Sequence, residues 1–169
     1  AATSQSYSTV TLKDKTGPTM TITAVNVFNN AVSDGATTND LSITLTFTSS
    51  ESTSNFAVGD VTVSGGSLNS FSGSGTTYTA LFVPSAEGAT TVDVAGGTFT
   101  DAASNNNSAA SQFNWSVDYT APTITSNSIA SDNSTMSVTF NEAVYNTSGG
   151  SGLLEVADFV FSMSSGGIG

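Results

Sequence analysis

Residues 41–51 read Leu-Ser-Ile-Thr-Leu-Thr-Phe-Thr-Ser-Ser-Glu. Leu41, Ile43, Leu45 and Phe47 alternate with Ser and Thr, so an extended chain carries its apolar groups on one face and its hydroxyls on the other. That is the pattern of a half-buried β-strand. The same two-residue period predicts strands over 19–28, 60–65, 67–72, 76–83, 90–99 and 112–117. Turn residues separate them: Asp34-Gly35, Gly65-Gly66, Gly73-Ser74-Gly75 and Pro84. Short strands broken every ~8–12 positions mark an all-β sandwich or barrel, and no stretch has a useful helical period. The alternation nominates Leu45, Phe47, Val61, Tyr78, Phe82, Val92, Val94, Phe113 and Trp115 as the core. Tyr7, Phe71, Tyr119 and Tyr145 fall outside this core pattern.

Composition points the same way. Only 9% of the 169 residues are charged, while Thr, Val, Phe and Tyr suit a pleated surface. Thirteen acids against two lysines, Lys13 and Lys15, give a formal charge of −11. Such a chain cannot track phosphates, which excludes nucleic acid, and it is repelled by anionic membrane surfaces. No apolar run approaches the ~20 residues of a membrane helix. With no His and no Cys, the commonest general base, thiol chemistry and disulfides are missing. No phosphate-binding loop or paired serine nucleophile replaces them, so the reading is of a protein that is not an enzyme.

The chain is also similar to itself. TGPT at 16–19 matches TAPT at 120–123, and Pro18 lies 104 residues before Pro122. STVTLKD (8–14) parallels QFNWSVD (112–118), LSITLTFTSSE parallels STMSVTFNE (134–142), and AVGDVTVSGGS (57–67) parallels EVADFVFSMSSGG (155–167). The reading is of tandem repeats: 1–14 as the last strand of one, 15–118 as a complete repeat, and 119–169 as the first half of another. The opening Ala-Ala-Thr reads as a processed end or an internal fragment.

With these pieces assembled, the stretch from LTFTSSE through GDVTVSGG, GSGTTYTA and FTDAASNN to the DYTAPT joint resembles the bacterial Ig-like repeats of large extracellular surface adhesins. The resemblance covers the central repeat. It implies an antiparallel Greek-key immunoglobulin-like β-sandwich, modules strung end to end, no catalysis, and calcium at module boundaries. Two departures stand out: Gly17 replaces the usual Ala, and Ser104 stands where the loop often has Gly, which bears on the loop's backbone path. Neither removes a carboxylate.

The acids fall where such boundaries need them. In an Ig sandwich, the loop after the second strand and the loop before the last share one end, which also receives the preceding chain. Calcium takes six to eight oxygen ligands, many from carboxylates. Asp14 precedes the joint proline, Glu51 and Asp60 bracket the first loop, and Asp101 opens the second, with Asn105 as an amide ligand. Asp118, Glu142 and Asp158 repeat the scheme. Asp34, Asp40, Glu87, Asp93, Asp132 and Glu155 read as turn or surface acids.

The function expected is a structural or adhesive spacer of an extracellular, cell-surface or filament protein, with calcium-stiffened joints. Its partners are neighbouring Ig-like repeats in the same chain or filament, and a cell-surface glycan or protein receptor. The alternatives are a filament subunit polymerising by strand complementation and a glycan-binding module. The sequons at Asn106, Asn114, Asn133 and Asn146 arise readily by chance in so Asn/Ser/Thr-rich a chain.

Overall fold

The structure is a computed structural model that describes residues 12–147 and 151–160. It divides into two compact units, Ala1–Tyr119 and Thr120–Gly169.

The first unit contains β1 (Met20–Val25), β2 (Ala31–Val32), β3 (Ala36–Thr38), β4 (Ile43–Thr53), β5 (Val61–Ser64), β6 (Gly66–Pro84), β7 (Gly88–Val94) and β8 (Phe113–Val117). They form two four-stranded sheets, β2-β1-β4-β6 and β3-β8-β7-β5. Every pairing is antiparallel except β3 with β8, where Thr37 lies opposite Ser116.

Strand β6 folds back on itself around Gly73–Gly75. The hydroxyls of Ser72 and Thr79 face each other at 3.4 Å, and Ser85 N–H bonds the Gly65 carbonyl at 2.9 Å. Gly73 and Gly75 supply the positive φ values, +139° and +67°, and Gly73 lies against the Tyr78 backbone with no room for a Cβ. The strands expected over 67–72 and 76–83 are therefore the two arms of this hairpin. With the arms counted separately, the sheet order is that of an Ig sandwich, facing a sheet closed by a short switched strand.

The core is the inward face of both sheets. Leu45, Phe47, Tyr78, Phe82, Val92, Val94, Phe113 and Trp115 are buried as the alternation predicts. Val61 is only half-buried and packs on the edge. Each large apolar side chain removed from water contributes about 1.5–3 kcal/mol before ordering costs. Trp115 packs edge-on against Phe82, and its indole N–H bonds Thr38 Oγ1 at 2.9 Å, which ties β3 to the core.

Several expectations need correction. Phe71 is half-buried and packs in an aromatic cluster with Phe47, Phe56 and Tyr78. Phe56 and Phe99 also join the core, though both lie outside strands. The strand expected to reach Phe28 ends at Val25, because Asn26 Oδ1 accepts from the N–H groups of Phe28 and Asn30 and turns the chain. Val27 and Phe28 are left exposed, as is Leu41. The strand expected over 90–99 stops at Val94, since Asn107 Oδ1 captures the N–H groups of Thr98 and Phe99.

Among its described residues, the second unit holds one antiparallel hairpin, β9 (Ile124–Ile129) with β10 (Met136–Phe140), followed by a 3₁₀ turn at Val156–Asp158. The hairpin turn uses Asn133 at φ +58°. The strand expected over 8–14 lies mostly outside the described residues, and Leu12, Lys13 and Asp14 are not in a strand. Among the described residues no helix is long and apolar enough to cross a membrane.

Candidate metal centre

Three acids from distant parts of the first unit meet at the end where the chain enters. Strand β4 continues past the end of its pairing with β1, so its inward face, after Leu45 and Phe47, presents Ser49, then Glu51 at the rim. The loop after β7 turns back so that Asp101 bridges Thr53. Asp14 precedes β1 in a local turn, its Oδ1 accepting from Thr16 N–H at 2.9 Å. One carboxylate oxygen from each of Asp14, Glu51 and Asp101 lies within 4.8 Å of the others. Asp14 is exposed, Glu51 half-buried and Asp101 buried.

The local folding of the Asp101 loop accounts for its order. Asn105 N–H bonds Asp101 Oδ1 and Asn105 Nδ2–H bonds Oδ2, both at 2.8 Å. Ser104 completes the turn at φ +68°, a left-handed conformation that favours glycine. Ser104 thus follows the path a glycine would take, at the cost of backbone strain. Asn107, buried beneath, bonds four backbone groups and holds the rest of the loop.

Glu51 sits above the ordinary carboxylate range, raised first by burial and then by the negative charges of Asp14 and Asp101 and a hydrogen bond to Asp101. Burial acts to raise Asp101 also, but the bonds from the Asn105 side chain and backbone, Ala103 N–H and Glu51 outweigh it and lower its pKa. The hydrogen bond between Glu51 and Asp101 thus acts in opposite directions on the two, raising Glu51 and lowering Asp101.

The donor set fits calcium. A cation about 2.3–2.6 Å from each oxygen requires ligand oxygens within about 5 Å of one another. Three hard carboxylates meet that limit, whereas zinc favours the imidazole and thiolate ligands that this chain lacks.

The other predicted ligands are placed differently. Asp60 closes a 3₁₀ turn, Val58–Asp60, with its Oδ2 accepting from Ala57 N–H at 2.8 Å, and it is not part of the group. Asn105 presents amide N–H groups to Asp101 and to the Thr16 carbonyl, so it orients the site as a donor. Asp158 closes the matching turn of the second unit, accepting from Glu155 N–H at 2.8 Å. Glu142 is half-buried beside Asn141, whose side-chain amide it accepts from, in the second unit. Asp118 is exposed at the end of the first unit, its N–H bonded to the Thr38 carbonyl. The acids read as turn or surface groups include Asp34, Glu87, Asp93 and Asp132, which hold Asn114, Tyr119 N–H, Gln112 and Ser134.

The self-similarity has a counterpart in hydrogen bonds. Thr19 N–H bonds Ser50 Oγ and Ser50 N–H bonds the Thr19 carbonyl, both at 2.9 Å. Thr123 and Asn141 exchange the same two bonds at 2.6 and 3.0 Å. Glu51 and Glu142 each follow immediately.

Sequence reasoning marked Gly17 only as a departure, without its packing role, and did not single out Asn107. Gly17 lies so close to the Asn106 carbonyl that a methyl group would collide with its oxygen. Asn107 has no distinguishing mark within Asn105-Asn106-Asn107.

Among curated proteins and solved structures, none matches the chain significantly. A family model described as bacterial Ig-like domain matches residues 14–117, from the first acid of the cluster to the end of β8. Over that span, which is more than half its length, the chain belongs to the bacterial Ig-like domain family.

Proposed function

We propose that this chain is a structural module of an extracellular bacterial surface or filament protein, with calcium at Asp14, Glu51 and Asp101 stiffening the point of chain entry. One observation carries this reading: an acid from the incoming chain meets one from β4 and one from the loop after β7 within a single ion's reach. The bound ion supplies charge neutralisation. The residues supply position: β4 carries Glu51, the Asn105 clasp aims Asp101, and the Thr16 turn presents Asp14. Family membership supports the structural role, and bacterial Ig-like domains are typical of surface proteins.

The matched Thr19–Ser50 and Thr123–Asn141 pairs, with the matched turns at Asp60 and Asp158, support reading 119–169 as the start of a further repeat of one design. Thermal melting with and without chelator, combined with backbone relaxation at Asp14 and Lys15, tests the joint. Chelation is expected to lower the melting temperature and mobilise both residues. Unchanged values in both would sink the calcium joint.

One observation favours a second reading, strand complementation between copies. In the second unit, Met136, Val138, Phe140, Leu154, Val156 and Phe159 line an open apolar groove of about 430 Å³. An extended segment such as 8–14 from another copy would fill it. Sedimentation of the full chain against a variant lacking residues 1–13 tests this. Polymers that vanish on deletion support it, and a monomer in both cases removes it.

A further inference from the structure

Immediately after Asp14, the chain is held to the module by contacts that use no carboxylate. Asn105 Nδ2–H bonds the Thr16 carbonyl at 3.2 Å, and Ser108 N–H bonds the Pro18 carbonyl at 3.0 Å. Pro18 is fully buried, and Thr19 is locked to Ser50 by two bonds. Gly17 sits at the centre of this run. Its backbone is not in the left-handed region, so its own conformation does not demand glycine. The requirement comes from the neighbour, since a Cβ here would strike the Asn106 carbonyl oxygen. Backbone against backbone at that distance leaves no flexible side chain to yield. At the matching place in the second copy the residue is Ala121.

We infer that Thr16–Thr19 is a clasp that fixes the direction of the incoming chain on the module without any cation, and that Gly17 is its determinant. The cation proposed above then acts on Asp14 and the chain before it, while the clasp sets the path from Thr16 onward. The two devices meet at Asn105, whose amide bonds both Thr16 and Asp101, but the Ser108–Pro18 and Thr19–Ser50 bonds involve none of Asp14, Glu51 and Asp101 and are separable from the cation.

The Ser108 amide reports the clasp, since its hydrogen bond crosses from the loop to Pro18. Amide exchange by NMR on the full chain in excess chelator should show Ser108 slowed by at least about tenfold over an open chain. Gly17→Ala should remove that protection while the β4 amides keep theirs. Should Gly17→Ala fail to fold, Ser50→Ala deletes only the side-chain limb that holds Thr19 N–H and should lower Ser108 protection while the other β4 amides keep theirs. Free exchange at Ser108 in the wild type under chelator overturns the clasp, as does protection in either folded variant equal to wild type. Protection that appears only with calcium overturns the clasp but supports the metal reading. Calcium without effect on any amide or on melting removes the metal reading and leaves the clasp standing.

Discussion

Asn105 grips both carboxylate oxygens of Asp101, with its backbone N–H on Oδ1 and its side-chain amide on Oδ2, each at 2.8 Å. An acid held this way is pinned in rotamer and favoured in its charged form, which is the state a cation binds. Asn105→Ala should let the Asp101 pKa climb back toward the ordinary 3.8. A carbon-detected NMR titration of the metal-free protein reads this directly. An Asp101 midpoint unmoved by the substitution would show that the amide does not hold the charge.

Glu51 and Asp101 shift in opposite directions, so the metal-free protein should have two pH responses. Glu51 binds its proton more tightly folded than unfolded; its stabilisation is full below 4.5 and is lost as pH rises from there through the raised value. Asp101 contributes above 3.8, and its contribution is lost as pH falls below that value. Urea melts in chelator should therefore show stability declining above pH 4.5 in the wild type. Glu51→Gln should flatten that limb and leave the acid limb in place. Calcium affinity should weaken as pH falls through the Glu51 transition, because proton and cation compete for one carboxylate.

Phe56 leaves the strands but meets four rings, with centroids between 5.0 and 5.7 Å: Phe47, Phe71, Tyr78 and Phe99. Phe56→Ala should cost about 3–5 kcal/mol, as large-to-small changes in packed cores do. Tyr119, exposed, should tolerate Ala within about 0.5 kcal/mol. Chemical denaturation of both variants checks the contrast.

Ser104 holds a left-handed backbone at φ +68° where a glycine would be unstrained. Ser104→Gly should raise stability by about 0.5–1 kcal/mol, the strain relieved less the added freedom of the unfolded chain. Thermal melting of the metal-free variant is the check. A loss of stability would mean that the serine side chain does more than occupy the turn.

The strands were legible because each core element carries its own alternation. Leu45 and Phe47 on β4, and Phe113 and Trp115 on β8, face the core without help from distant partners. Strands β2 and β3 have two and three residues, too few for any period, and they exist because β1 and β8 offer open edges. Phe56, Phe71 and Phe99 reach the core through loop and hairpin geometry that local pattern does not encode. The cluster was legible for Asp14, Glu51 and Asp101, which sit at the ends of elements whose order fixes their common end. Asp60 and Asn105 were not, because three residues of chain decide whether a side chain caps its own turn or reaches outward.

The central claim is that Asp14, Glu51 and Asp101 hold calcium, and a calcium titration of the melting temperature tests it most directly. Calcium at a hundred times its dissociation constant should stabilise the wild type by about 2.7 kcal/mol over chelator. The combined Asp14→Asn, Glu51→Gln and Asp101→Asn variant should melt identically in both. A wild type that melts at one temperature throughout, or a triple variant that gains as much as the wild type, contradicts the account.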